Sequence, residues 1–520
     1  MESITPTKSD RFFWLLVAIF VVRGITIQCL YPPLEGPDEY QHIAVIQYMV
    51  ENRALPVYGQ SKVPVSLYKD IVANPHPNHS EDQTGQIGAQ SYETFYGSEP
   101  AQTSEAPINL YQAQHPPLYY LMMAPVYSWS RSVLDFRSTV YLLRCINIVA
   151  AAFALVLLLV PIRRMFSDDG LCRLFCLAIA ASPMFMVYVS RVANDAFALL
   201  FAGMALVIVL GIPQARHARL SAGLAGVCAA LAVLSKLNGV VVLPVTIVYF
   251  VFLAATAKIT WCNSFLYSTI FLVGYLLLSL PYHVWAFWQY GTVLPQQETI
   301  RNIASGHSSF ILLREIRLEH FWTFFVEHVV SRTLWTSGWS FLGLPRIVCF
   351  FYRVLILVAA CGTLAWLRPR MRSANASLIR DWQPACVCIL LTLGTFAALY
   401  LHALHSLVAY QLIATPSYYL MIAYPAFLSC LFIAALGYGR RTAGVLALVL
   451  LAIFTFAELY GLCFVAVPYW SQTQGWSQML ARLASLHPVF PSPAFFSALY
   501  FLALMLLAIG VLISLQRRAE

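Results

Sequence analysis

A chain of 520 residues that is 60% hydrophobic and only 11% charged, with a mean hydropathy of +0.70, excludes a string of soluble domains and points to one polytopic membrane domain. Its formal charge of +9 is spread in small clusters between apolar runs, which is a signature of membrane topology rather than a groove for a polyanion, so nucleic acid is not an expected partner. The 12 cysteines lie in or beside the apolar runs without CxxC or zinc-type spacing, so neither a disulfide framework nor a structural zinc is expected.

Twelve runs are long enough to cross about 30 Å of hydrocarbon. They fall roughly at 12–30, 139–160, 171–189, 193–211, 219–235, 238–256, 261–281, 347–366, 384–402, 418–436, 442–467 and 494–515. The expected fold is therefore an all-α polytopic bundle of about 12 helices, one domain over residues 1–520. The first run contains Arg23 and has no small-residue cleavage site before Tyr31, so it reads as a retained span and not as a signal peptide. The stretch from Pro116 to Trp129 has only about fourteen apolar residues, which suits an interfacial or re-entrant helix. With that stretch left out of the count, Arg163, Arg164 and Arg173, Arg216 and Arg219, Lys258, Arg368 to Arg380, Arg440 and Arg441, and Arg517 and Arg518 all fall on one face. The positive-inside rule makes that face, and both termini, cytoplasmic.

Two large connections then lie on the opposite, extracytoplasmic face, 31–138 and 282–346. The middle of the first, Tyr58 to Pro107, is polar and aperiodic and is expected to be loop. In the second, Phe310 to Trp335 is aromatic-rich and expected to form one or two helices at the membrane surface. Short cytoplasmic connections leave no room for a soluble catalytic domain on that side.

The chemistry-bearing residues concentrate on the outer face. Pro37-Asp38-Glu39-Tyr40-Gln41-His42 follows the first span, and Pro32, Pro33 and Pro37 stop that helix from continuing. Two readings are open for the carboxylates: capping a short amphipathic helix that begins there, or general-base work on an acceptor, with His42 on the same helical face. A divalent ion held by Glu39 and His42 is a weaker third. His115-Pro116-Pro117-Leu118-Tyr119-Tyr120 opens the fourteen-residue stretch, either as a simple helix entrance or as a contributor to the same site. Arg191 and Asp195 lie at an outer turn, where they form an ion pair or hold the arginine ready for a phosphate. Lys236, in Ser235-Lys236-Leu237-Asn238-Gly239, either snorkels to headgroups or binds the phosphate of a lipid-linked substrate. Trp339, in the segment Trp335 to Gly343, is an interfacial anchor or a sugar-stacking platform, and Tyr419 flanks the outer turn before the tenth run beside His402, His405, Tyr410 and Tyr418.

Taken together, the P-D-E-x-x-H segment after a first span, H-P-P-L-Y-Y, S-R-x-x-N-D and L-S-K-x-N-G resemble the GT-C superfamily of polyprenyl-phosphate-sugar-dependent glycosyltransferases. The similarity is greatest to bacterial members related to protein O-mannosyltransferases and lipid A aminoarabinose transferases. The resemblance implies inverting transfer of a sugar from a lipid phosphate or diphosphate to a lipid, glycan or protein acceptor, at the outer face of a bacterial inner membrane. It implies Asp38 as the acidic catalytic position, Glu39 as the second member of the pair, and Arg191, Asp195 and Lys236 around the donor phosphate. His42, His115, Trp339 and Tyr419 complete the expected substrate-binding set; no cofactor is expected to be required, with a divalent metal as the open alternative. A flippase, or a polymerase or ligase for lipid-linked saccharides, is the competing class. A flippase would carry polar residues through the middle of several spans.

Overall fold

The computed structural model describes residues 10–72, 74, 108–307, 330, 332–337, 342–368, 376–411, 417–471, 473, 475–485 and 493–519. Among them the apolar runs form helices: α1 (Asp10–Leu30), α2 (Glu39–Asn52), α3 (Val65–Val72), α4 (Leu118–Val133), α5 (Phe136–Met165), α6 (Asp169–Ala180), α7 (Pro183–Val189), α8 (Asp195–Gly211), α9 (Ala218–Ser235), α10 (Val242–Ala255) and α11 (Trp261–Tyr290). They continue with α12 (Gln297–Ala304), α13 (Arg346–Trp366), α14 (Trp382–Tyr410), α15 (Tyr424–Leu436), α16 (Arg440–Tyr460), α17 (Val467–Ser471), α18 (Trp476–Ser485) and α19 (Pro493–Ala519). Ten helices of the described residues are long and apolar enough to cross a membrane, or up to 11 if the bent pair α6 and α7 is one span. Each expected run coincides with one of these or, for 418–436, with the shorter α15. The 16-residue α4 is shorter than the helices counted as spans.

Polar residues at the run boundaries set where helices begin. Asp135, Asp168, Thr260 and Asp381 each accept a backbone N–H of the first turn that follows, satisfying donors that the helix cannot pair internally. Without a hydrophobic drive between apolar helices in lipid, close backbone approach holds them together, and α9 and α11 show how. A Cβ on Gly226 would strike the carbonyl of Phe271, and one on Gly274 the carbonyl of Gly223.

The two ends of the bundle differ in chemistry. At one end Arg440 pairs with Asp168, Arg380 donates to the carbonyls of Arg163 and Arg164, and Phe166 bridges to Ile379. The clusters around Arg163, Arg380 and Arg440 are thus drawn together there. The other end holds α2, α4, α12 and the turns after α7 and α9.

Two expectations need correction. The stretch from Tyr58 is not loop throughout: α3 forms within it, Lys62 bridges to Asn109, and Asp70 accepts from Arg131 on α4 at 2.7 Å. Charged groups are also not confined to one surface. Arg23 pairs with Glu458 inside the bundle and donates at 2.8 Å to each of the carbonyls of Ala180 and Ala181. Those carbonyls are released where Pro183 breaks the span between α6 and α7, at a bend of 45°. The ion pair therefore repairs a broken helix. The surface helices expected in 310–335 lie largely outside the described residues, as does 75–107.

Candidate active site

The site is built on the short connection between α1 and α2. The prolines end α1, and the chain turns through two residues with positive φ, Leu34 at 69° and Asp38 at 56°. Aspartate tolerates the left-handed conformation better than most residues. The consequence is that Asp38 occupies the N-cap position of α2 without capping it, since its side chain bonds to no N–H of the first turn. Helix capping, one of the two readings of the motif, is thus ruled out for Asp38. Its carboxylate instead faces a cavity and accepts a 2.8 Å hydrogen bond from the Tyr111 hydroxyl. Burial raises its carboxyl above the ordinary range, opposed by the Tyr111 hydrogen bond and by the charge of Lys236.

Glu39 points the other way. It is fully buried and lies against Arg144 of α5, which donates from Nε at 2.8 Å and from Nη2 at 2.6 Å. The Val192 N–H donates to the same carboxylate at 2.9 Å. Burial pushes this carboxyl up, but Arg144 outweighs burial and the net displacement is downward. Arg144 also donates to the carbonyls of Tyr31 and Pro32, so one side chain ties the α1–α2 turn, α5 and the turn after α7 together. The expectation of Glu39 as a catalytic or metal-binding group is corrected accordingly: its oxygens are committed to a brace behind Asp38. His42, its supposed partner for an ion, bonds through Nδ1 to the Tyr120 hydroxyl at 2.9 Å, and the two rings are stacked. No group of three His, Cys, Asp or Glu side chains suited to a metal occurs among the described residues.

The basic residues are also paired differently from either bland reading. Arg191 does not bond Asp195, because the helix begins at Asp195 and residues 190–194 are a turn, which removes the i, i+4 geometry. Lys236 bonds Asp195 at 2.7 Å instead and is only 4% exposed, so it does not snorkel. It sits 5.4 Å from the ring centres of Tyr418 and Tyr419. Arg191 is 1% exposed, with its guanidinium 3.5 Å from the centre of the Tyr31 ring and 3.9 Å from Glu35. None of its three guanidinium nitrogens has a hydrogen-bond partner. Gly36 makes this placement possible, since a Cβ there would come within 2.5 Å of the Arg191 Cδ. Asn147 of α5 holds the turn by donating to the carbonyls of Arg191 and Ala193.

Asp38, His42, His115, Arg191, Asp195, Lys236 and Tyr419 all line one narrow cavity. Asp38, His115, Lys236 and Tyr419 also border a wider one, open at its mouth, of about 140 Å³. His115 stacks on His42 with ring centres 5.9 Å apart, and burial together with Lys236 holds its pKa down to about 3, so it is neutral at physiological pH. Trp339 lies outside the described residues. Its segment nevertheless reaches the site: β1 (Thr336–Ser337) pairs with β2 (Leu342–Gly343), and Ser337 donates to Glu35 at 3.0 Å.

Several participants were not singled out from the sequence. Arg144 and Asn147 carried a usable signal, polar side chains inside an apolar run. Tyr111 and Glu298 carried none, because only the fold brings them to the cavity, and only the fold sets Glu35 beside Arg191. The arrangement presents a partly exposed carboxylate able to take a proton, beside a buried arginine with unused donors and a lysine, at the end of the bundle opposite the arginine clusters.

No curated protein matches the sequence. In structure the chain is similar to ArnT from Cupriavidus metallidurans, solved bound to undecaprenyl phosphate, at 16% identity and a TM-score of 0.44, over 99% of this chain and 79% of that one. It is also similar to the archaeal oligosaccharyltransferase AglB from Archaeoglobus fulgidus, solved with an inhibitory peptide and a dolichol-phosphate, at 12% identity and a TM-score of 0.45, over 93% of this chain and 59% of that one. The apo form of the Archaeoglobus oligosaccharyltransferase gives 13% identity and a TM-score of 0.47, over 92% and 58%. The model of the family described as predicted membrane protein (DUF2142) matches residues 20–408, more than half of the chain, and the protein belongs to that family.

Proposed function

We propose that the protein is a glycosyltransferase that moves a sugar from a polyprenyl-phosphate or polyprenyl-diphosphate donor to a hydroxyl-bearing acceptor with inversion. Asp38 takes the proton of the attacking hydroxyl, whose oxygen forms the new bond to the anomeric carbon as the bond from that carbon to the phosphate oxygen breaks. The negative charge gathering on the departing phosphate is met by Arg191 and Lys236. One observation carries this reading: a buried arginine whose guanidinium nitrogens make no hydrogen bond, 3.9 Å from Glu35, lines the same cavity as an available carboxylate. Buried donors without hydrogen bonds are costly, and the oxygens of an arriving phosphate would supply the missing acceptors.

Electrostatically, the carboxylate and the cations divide the labour. Burial makes Asp38 a stronger base than an ordinary aspartate, while Glu39, bound to Arg144, cannot compete for the proton. The site belongs on the extracytoplasmic side and both termini on the cytoplasmic side of a bacterial plasma membrane, since the arginine clusters gather at the opposite end. The test is incubation of purified protein with a panel of polyprenyl-phosphate sugars and candidate acceptors, following sugar transfer. Asp38→Asn should insert normally and lose on the order of a hundredfold or more in rate. A normally inserted, fully active Asp38→Asn protein would exclude the mechanism.

A further inference from the structure

Asp38 bonds to no N–H of the first turn of α2, so its carboxylate is held from elsewhere. Tyr111 supplies the hold, its hydroxyl donating to Asp38 Oδ1 at 2.8 Å. A hydroxyl fixes a carboxylate only as well as its own ring is fixed, and the chain around Tyr111 is tied on several sides. Upstream, the segments 61–63 and 108–110 form a short ladder, with the Val63 N–H at 2.8 Å from the Ile108 carbonyl and the Leu110 N–H at 3.0 Å from that of Ser61. Gln41, one turn along α2 from Asp38, donates to the Asn109 carbonyl at 3.0 Å. Downstream, Tyr282 of α11 donates to the Gln114 carbonyl at 3.1 Å and fastens the helical turn Tyr111–Gln114 to the bundle. Gln297 of α12 donates to the carbonyl of Tyr111 itself at 2.9 Å, and the Tyr40 ring meets the Tyr111 ring edge-on at 6.3 Å. Gln41 and Tyr40 belong to α2, so the carboxylate and the hydroxyl are set in one frame. The other groups facing Asp38 are Lys236, already bonded to Asp195 at 2.7 Å, Tyr418 from the turn before α15, and His42 and His115 around the narrow cavity. The charge of Lys236 acts on Asp38 at a distance, and charge at a distance does not orient a carboxylate as a hydrogen bond does.

From this we infer that Tyr111 is a positioning residue for the general base: it holds Asp38 by Oδ1, so that Oδ2 is the oxygen that takes the proton of the acceptor hydroxyl. The tyrosine keeps its own proton throughout; the acceptor's proton passes to Oδ2 as the acceptor oxygen bonds to the anomeric carbon and the phosphate departs with the electrons of the broken bond. A hydroxyl bonds an ionised carboxylate more strongly than a protonated one, so the contact favours the basic form that burial opposes. The inference rests on the transferase reading for the reaction it serves, whereas the hold on Asp38 acts whether or not transfer follows.

The experiment is Tyr111→Phe in the full-length protein, read in two ways. In the transfer assay kcat should fall on the order of tenfold to a hundredfold, the range for a hydrogen bond to a charged group, with the donor KM unmoved. The acid limb of kcat/KM should move to higher pH, because the ionised carboxylate has lost a donor. The second reading needs no transfer: infrared titration of the Asp38 carboxyl band, identified by its absence in Asp38→Asn, should show that carboxyl taking its proton at higher pH in Tyr111→Phe than in the wild type. A ring-fluorinated tyrosine placed at position 111 is a stronger donor that keeps the ring and its packing, and it should move the band and the limb to lower pH. A tyrosine that only packs would change thermal stability and leave both where they are. A band at the wild-type pH in folded Tyr111→Phe overturns the inference, as does a band unmoved by fluorination where Tyr111→Phe does not fold, or a kcat in Tyr111→Phe equal to that of the wild type. Opposite shifts of the band in the two proteins, in a wild type that transfers no sugar, would leave the hold on Asp38 standing and fail the transferase reading alone.

Discussion

Replacing Arg144 with methionine probes the brace behind Asp38. The substitution keeps an unbranched apolar stem but removes both bonds to Glu39 and those to the carbonyls of Tyr31 and Pro32. Glu39 has no exposed side-chain surface, so its charge cannot be rehydrated in place. Breaking a buried pair from one side costs about 3–5 kcal/mol, mostly through the charge left behind. The double variant Arg144→Met/Glu39→Met removes both charges, and a hydrophobic replacement of a buried pair is commonly close to neutral. Thermal unfolding in detergent should therefore show a large loss for the single variant and recovery of most of it in the double. Transfer should not recover, because the turn that presents Asp38 has lost its tie to α5 and to Val192. A single variant within about 1 kcal/mol of wild type, a scale usual for exposed pairs, would refute the brace, and so would a double variant with restored activity.

Three further outcomes follow from the same geometry. Transfer requires ionised Asp38, so kcat/KM should fall as pH drops through the pKa of that carboxyl; because burial raises it, the acid limb should lie above the ordinary aspartate value of 3.8, and a limb at or below that value would contradict the environment assigned. Arg191→Lys keeps the charge but loses the planar fork, and should raise the KM for the lipid-linked donor by about tenfold or more, with the acceptor KM unmoved in steady-state assays. Arg23→Met should destabilise the protein by about 3–5 kcal/mol in the same unfolding assay, since it strands the buried charge of Glu458 and the carbonyls of Ala180 and Ala181, while the folded fraction keeps its donor KM.

Much of the architecture was legible because crossing hydrocarbon imposes a length and an apolar composition on each segment, and those properties are local. The position of the site was legible for the same reason, as the connections carrying Asp38, His115, Arg191 and Lys236 alternate to one end. The pairing within the site was not. Arg191 and Asp195 look like a helical i, i+4 pair, yet the helix starts only at Asp195, with Arg191 in the turn before it, and each turns to a partner that is distant in sequence, Glu35 and Lys236. Asp38 and Glu39 look equivalent as adjacent carboxylates. A single left-handed residue sends them to opposite sides, one into a cavity and one onto an arginine 105 positions along the chain. Backbone handedness at one aspartate has no compositional signature, and a brace of that span is written only in the packing. Tyr111 was invisible for a related reason: the ties that hold its hydroxyl on Asp38 are a property of neighbours that the fold supplies.

The most direct measurement places purified wild-type and Asp38→Asn protein in vesicles containing a polyprenyl-phosphate sugar and an acceptor, and follows the appearance of free polyprenyl phosphate together with movement of the lipid between leaflets. The transferase account predicts release by the wild type, loss of release in Asp38→Asn, and no dependence of release on leaflet exchange. Exchange of the lipid between leaflets without any release of polyprenyl phosphate would contradict it and assign the cavity to transport.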